Sequence, residues 1–310
     1  MIQTDVLIIG SGPAGYTAGL YTTRAGLDTV LYTGTAVGGQ LMSTHAIENF
    51  PGFEKIAGAD LMDIFKKQIQ NIGTRIRHEQ ITRLNTEVYP FFFETETGDT
   101  GTAKTVILAT GAKAKWLDVP GEERYKGNGI SICATCDGFF YKNKTVAVIG
   151  GGNTALYESL FLSKVAAHVY LINRSDTFSG EHLLCTQVQN EPKIEIMYNT
   201  IVHSFDGKQN LEQLIVQNTA TYQKKYLAVQ GVFEAVGTKP DTTLVADQLA
   251  LSDSGYIVTN KRTMETSVPG IFACGDVQED VYRQAIIAAG SGCIAALSAE
   301  KFIFRHRRTY

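Results

Sequence analysis

The sequence predicts an α/β protein made of two three-layer domains of similar design. Three observations carry that prediction. A strand, a Gly-rich turn and a helix follow one another near the start of the chain, the same succession returns near residue 150, and a length of 310 residues suits about two domains.

Val6 to Ile9 is a short apolar run, and Gly10, Gly12 and Gly15 come directly after it. A helical pattern runs from Ala14 to about Ala25, and Val30 to Tyr32 reads as the next strand, completing a β-turn-α-β unit. Asp60 to Ile72 reads as an amphipathic helix, and Phe91 to Thr97 and Thr102 to Ala109 as strands. Thr145 to Ile149 is a second strand leading into glycines, Gly150 and Gly152, with Ala155 in the third place. A helix to about Val165 and the strand His168 to Ile172 follow. Strand signals return near Val232 to Val236 and Gly270 to Ala273, and Arg283 to Arg305 reads as a helix. Both units have the order of a Rossmann-like nucleotide-binding domain.

The composition, 44% hydrophobic and 19% charged, is that of a globular protein, and a net charge of -3 gives no global attraction to nucleic acid or to a membrane surface. No segment offers the roughly 18 uninterrupted apolar residues of a membrane span. The N-terminal residues lack the basic flank and cleavage site of a signal peptide, and five cysteines are a poor count for a secreted disulfide framework, so a cytoplasmic protein is expected.

In the first turn, Gly10 permits a tight bend, Gly12 lets the backbone approach a pyrophosphate, and Gly15 lets helix and strand pack closely; Pro13 and Ala14 lie between them. Dinucleotide binding is the reading, although Tyr32 and Thr33 supply no acid for a ribose hydroxyl and Asp28 comes too early. The second turn is the same device, and its following strand also ends without an acid, at Asn173, Arg174 and Ser175. Asn173 could bond a ribose hydroxyl, and Arg174 alone could meet a 2′-phosphate.

Cys133 and Cys136 are separated by two residues, a spacing that can close a small disulfide and lets one thiol lower the other's pKa. Zinc would need a second ligand pair; Cys185, Cys274 and Cys293 stand alone, so no metal is expected. Asp137 beside the pair is a candidate proton donor and acceptor, or else a turn or capping aspartate. Cys274 and Cys293 read as small core residues.

Together these motifs resemble one family, the low-molecular-weight thioredoxin reductases, over nearly the whole chain. The first turn looks like that family's FAD pyrophosphate site. Gly39, Gln40 and Leu41, then Asn49, resemble its next FAD segment, and Ala109, Thr110 and Gly111 its crossover into a second domain. Gly275 and Asp276, then Arg283, Gln284 and Ala285, resemble the segment that holds ribitol and flavin ring. The resemblance implies tight, non-covalent FAD, a homodimer, and a thioredoxin-like protein substrate. It also implies an FAD domain of residues 1–112 and 241–310 interrupted by an NAD(P)H-type domain, 113–240, that carries the cysteine pair. Cys136 would face the flavin, Cys133 would attack the partner disulfide, and Asp137 would be the acid/base.

One stretch departs from that pattern. The family's NADPH users usually carry His-Arg-Arg and another arginine four residues on, where this chain has Asn173, Arg174, Ser175 and then Ser179. Losing two charged hydrogen bonds of about 1.5–3 kcal/mol each would weaken NADPH on the order of 10²–10⁴-fold. The electron donor therefore stays open between NAD(P)H and reduced ferredoxin. The basic tail Arg305 to Arg308 would suit an acidic iron–sulfur protein, and Tyr310 could stack on a flavin.

Overall fold

The computed structural model of the chain describes residues 1–44 and 46–306. The chain divides into two compact units, one of Met1–Lys113 with the stretch from Lys239 onward, the other Ala114–Thr238.

In the first unit, Ile2–Ile9 pairs in parallel with Thr29–Tyr32 on one side and Thr100–Leu108 on the other. Val6, Leu7 and Ile8 are fully buried, as expected of a parallel strand covered on both faces. The strand begins four residues before the predicted Val6, because Ile2, Gln3 and Thr4 pair with Gly101, Thr102 and Ala103. Ile271–Ala273 joins Thr100–Leu108 in parallel, and Phe91–Thr95 and Ile81–Asn85 extend the sheet antiparallel. The helix Pro13–Arg24 starts with proline in its first turn and is followed by Gly26 at φ +72°, the usual pairing of start and stop residues.

The long helix begins at Ala285, two residues later than predicted, with the Gln284 carbonyl accepting the Ala288 N–H. It is apolar and long enough to cross a bilayer, but Ala288, Ala295 and Ala299 are buried in one core with Ala14 and Ala18. Gly292 makes that approach feasible, since a Cβ there would lie 2.2 Å from the Ala14 carbonyl oxygen.

The second unit holds a five-stranded parallel sheet in the order Ile194–Met197, His168–Ile172, Thr145–Ile149, Gly231–Glu234, Ile130–Ser131. A three-stranded antiparallel sheet, Thr200–Asp206, Gln213–Asn218 and Lys224–Ala228, covers one of its faces through Val202, Leu214 and Leu227. Two acids share that core. Glu122 and Glu234 are nearly inaccessible, and both carboxylates accept from the Leu117 N–H. Burial first, and then the neighbouring Glu122, push the Glu234 carboxyl up to about 8.

Candidate functional site

The first turn is a built cradle. Gly10 sits at φ +112°, and a Cβ there would lie 2.1 Å from the Ala109 carbonyl oxygen. A Cβ on Gly15 would meet the Gly10 carbonyl oxygen at 2.0 Å, so both outer glycines are fixed by backbone against backbone. Gly12 differs: nothing lies within 4 Å of where its Cβ would stand. That open space over the start of the Pro13–Arg24 helix is where a pyrophosphate could approach.

Three other predicted segments gather at this turn. A Cβ on Gly39 would lie 3.2 Å from Gly12 Cα, which puts the Gly39–Leu41 stretch against the cradle. Ala109 continues the sheet by donating to the Ile9 carbonyl at 2.8 Å, and Thr110 Oγ1 donates to the Asp241 carbonyl at 2.6 Å. The Gln40 side chain donates to the Ala112 carbonyl. Gly275, at φ +72°, abuts Ala14, with a Cβ–Cβ approach of 2.9 Å if it bore a side chain. Asp276 follows it, and burial raises its carboxyl to about 6 although the nearby Arg283 cation pulls the other way. Asn49 Nδ2 donates to Gln284 Oε1 at 3.2 Å, so two predicted residues 235 apart in sequence touch directly. The loop before Ala285 thus carries Arg283 and Gln284 to the same region. Tyr310, with Arg307 and Arg308, lies outside the described residues.

In the second unit Cys133 and Cys136 form a disulfide with Cα atoms 5.3 Å apart, spanning the one-turn helix Ala134–Asp137. Cys136 is exposed and Cys133 partly so. The Ser131 hydroxyl accepts the Cys133 N–H at 3.1 Å, and the buried Glu158 carboxylate accepts the Ala134 N–H at 3.2 Å. Asp137 ends the short helix, and after burial its charge is the second cause that raises the Tyr141 hydroxyl. Two residues that sequence reasoning passed over stand beside the pair: Phe139 and Phe140 are 67% and 43% exposed. Their signal was the apolar pair directly after a reactive motif, a place where a buried run was not needed.

The nucleotide-type turn of the second unit is held differently. Asn173 is 3% exposed, and its amide donates to the Ser175 and Thr177 carbonyls at 3.2 and 2.7 Å. Its Oδ1 would lie 2.4 Å from a Cβ on Gly151. Its donors hold the loop after the strand, which leaves Oδ1 as the amide atom that could meet a ribose hydroxyl. Ser179 closes that loop, its N–H bonding the Gly151 carbonyl at 2.9 Å, and Asn153 and Glu181 bond each other reciprocally.

Of the lone cysteines, Cys274 is fully buried and its thiol is pushed up to about 12, as suits a core residue. Cys293 is only partly buried and faces the Tyr21 hydroxyl. Cys185 lies partly buried in the helix His182–Gln189, near the Gly180 carbonyl. Among the described residues no cluster of His, Cys, Asp and Glu could hold a metal ion.

A dinucleotide cradle in one α/β unit and a two-residue-spaced disulfide in another define a class, the nucleotide-dependent disulfide oxidoreductases. The chain belongs to the pyridine nucleotide-disulphide oxidoreductase family, whose model matches residues 4–292. Within it, the chain is 43% identical to a thioredoxin reductase of Rickettsia felis, covering 97% of this chain and 99% of that one. It is 45% identical to a thioredoxin reductase of Debaryomyces hansenii over 98% of both. The solved thioredoxin reductase of Giardia duodenalis superimposes with a TM-score of 0.94 at 35% identity, over 98% of this chain and 100% of that one. The protein is a thioredoxin reductase-type flavoenzyme with two Rossmann-like units.

Proposed function

We propose that the protein is an FAD-dependent reductase of a thioredoxin-like protein disulfide, working through Cys133 and Cys136, with weakened use of NADPH. The observation that carries this is the exposed Cys133–Cys136 disulfide flanked by Phe139 and Phe140, in a chain that also holds the open Gly10–Gly15 cradle. FAD would lie on Gly10, Gly12, Pro13, Ala14 and Gly15, along Gly39 to Leu41 and Asn49, past Ala109 to Gly111, and toward Gly275, Asp276, Arg283, Gln284 and Ala285. When bound, it supplies a two-electron centre between the donor and the cysteines.

The protein's own part is thiol chemistry. Two electrons and two protons convert the disulfide to two thiols. Cys133, as thiolate, attacks the partner's disulfide; one partner sulfur leaves as a thiol, and Cys136 then displaces the other, re-forming the Cys133–Cys136 bond. Asp137 carries the proton between these states, and Cys136 is the sulfur that exchanges with the flavin. Protein that is first reduced with dithionite should reduce a thioredoxin disulfide after its flavin has reoxidised. A Cys136→Ser variant that turned over thioredoxin at the wild-type rate would sink this reading.

The loop from Asn173 to Ser179 supports the weakened donor site, because Asn173 bonds the loop's backbone and two of the family's phosphate-binding positions are serines. Stopped-flow mixing separates the donors. Slow or absent bleaching by NADPH with rapid reduction by ferredoxin favours the protein donor; full bleaching within milliseconds favours an ordinary NADPH-dependent reductase, a reading that the 43–45% identity to thioredoxin reductases leaves equally open. No rapid turnover with any donor would leave a flavin-bound redox sensor. We also read the protein as a cytoplasmic homodimer: Ile287, Ile294 and Leu297 leave apolar surface on the long helix, which sedimentation can test.

A further inference from the structure

We propose that Ser11 and Ser291 are positioning residues for the flavin, two buried hydroxyls that set the segments at Gly38 and Gly275 against the Gly10–Gly15 turn before the cofactor arrives. This rests on the FAD reading of the first unit.

The need for such residues follows from where the sheet ends. Ala109 and Cys274 are still fixed by the strand ladder, donating to the Ile9 and Leu108 carbonyls. Gly38 and Gly275 lie beyond it, and their backbones take left-handed conformations at φ +86° and +72°. Each N–H is met by a serine hydroxyl. Ser11 Oγ accepts from Gly38 at 3.0 Å and donates to the Thr33 carbonyl at 3.2 Å. Ser291 Oγ accepts from Gly275 at 2.9 Å and donates to the Ala288 carbonyl at 2.9 Å. Both serines are nearly inaccessible, at 2% and 6% exposure, so each hydroxyl is committed in both directions and water cannot replace it freely.

The two segments are also packed directly on the turn. Gly39 abuts Gly12 and Gly275 abuts Ala14, while Gly292, next to Ser291, sits against the Ala14 carbonyl. Ser291 therefore registers Asp276 against the start of the Pro13–Arg24 helix, and Ser11 registers the Gly39–Leu41 stretch against Gly12. Without the hydroxyl, the glycine N–H loses its partner and the turn relaxes toward another arrangement, which FAD binding must then reverse. Pre-set geometry of this kind appears in affinity and release rate, not only in fold stability.

The test uses full-length protein stripped of flavin. Ser291→Ala should stay folded yet bind FAD about 10-fold or more weaker and release it faster, since one buried N–H is left unpaired. Ser291→Thr, which keeps the hydroxyl, should restore most of the affinity, and Ser11→Ala should weaken FAD in the same direction. If Ser291→Ala lowers the melting temperature of the stripped protein but leaves FAD affinity and release unchanged, Ser291 only supports the fold and the proposal falls. The proposal falls equally if Ser291→Thr behaves like Ser291→Ala. If stripped wild-type protein takes up no FAD at all, the reading of the cradle itself fails, a result distinct from either of these.

Discussion

The two Gly-rich turns of this chain share a spacing and differ in what surrounds them. The Gly10–Gly15 turn is braced from behind by carbonyls and left open at Gly12, with neighbouring segments drawn up to it by Ser11 and Ser291. The Gly150–Ala155 turn meets Asn173 at Gly151, the counterpart of Ser11, and the loop beyond is bonded to it by Ser179 and by the Asn153–Glu181 pair; a Cβ on Gly152, the counterpart of Gly12, would have Ser179 Oγ near it at 3.8 Å. Both turns leave the middle glycine accessible, and they differ in the side chain beside it: a serine that holds a neighbouring segment in the first, an asparagine that holds its own loop in the second. A spacing motif thus reports the bend of the backbone, while the polar groups around it decide whether a ligand has anything left to bond.

The largest effect should come from glycine replacement at the two bends. Gly10→Ala places a methyl 2.1 Å from the Ala109 carbonyl oxygen at a positive φ, and the protein should purify with little or no flavin. Gly150→Ala, 2.5 Å from the Ala235 carbonyl oxygen, should destabilise the second unit yet leave the flavin-to-protein ratio near wild type. Equal flavin loss in both would break the comparison, and an absorbance spectrum decides it.

Next is donor recognition. Ser175→Arg combined with Ser179→Arg should tighten NADPH on the order of 10²–10⁴-fold and leave NADH little changed, as two charged hydrogen bonds to a phosphate would do. Titration of flavin bleaching measures it, and an unchanged NADPH affinity would mean that the sewn loop, rather than the missing charge, closes the site.

A further difference is acid–base. Glu234 ordinarily titrates near 4.5 when unfolded and is raised to about 8 in the fold, so the folded state holds the extra proton between those values. Its contribution to stability is full below about pH 4.5 and fades as pH rises toward 8. The second unit should therefore melt at lower temperature as pH increases through that window, and Glu234→Gln should flatten the trend. A melting profile of Glu234→Gln that follows wild type would remove the acid pair as the cause.

The smallest effect expected is Asn173→Ala, which removes its bonds to the Ser175 and Thr177 carbonyls, while Ser175 keeps the Asn199 N–H, and should cost about 1–3 kcal/mol of stability, read from denaturant unfolding. Full wild-type stability would show that the loop holds without this side chain.

Much of this was legible in the residues because the elements involved are short and uniform. Val6 to Ile9 and Thr145 to Ile149 announce parallel strands by unbroken apolar runs, and the glycines beside them need one geometry. The meeting of Asn49 with Gln284 was not legible, since a contact across 235 residues has no local signature. The strands Gln213–Asn218 and Lys224–Ala228 left no such mark either: their outward residues, among them Lys224, Lys225 and Tyr226, interrupt the apolar pattern. Asn173 is ambiguous for a related reason, because a polar residue at a strand end bonds backbone as readily as it bonds a ligand.

The first unit is assembled from both ends of the chain, and that fixes an order of events during synthesis. Residues 114–238 are contiguous, so the disulfide-bearing unit has all of its strands as soon as Gly231–Glu234 has left the ribosome. The Gly10–Gly15 turn must wait for Ile271–Ala273 and for the helix that brings Ser291 and Gly292 to Ala14. A nascent chain halted between these points would carry the cysteine pair beside an unfinished Gly10–Gly15 unit.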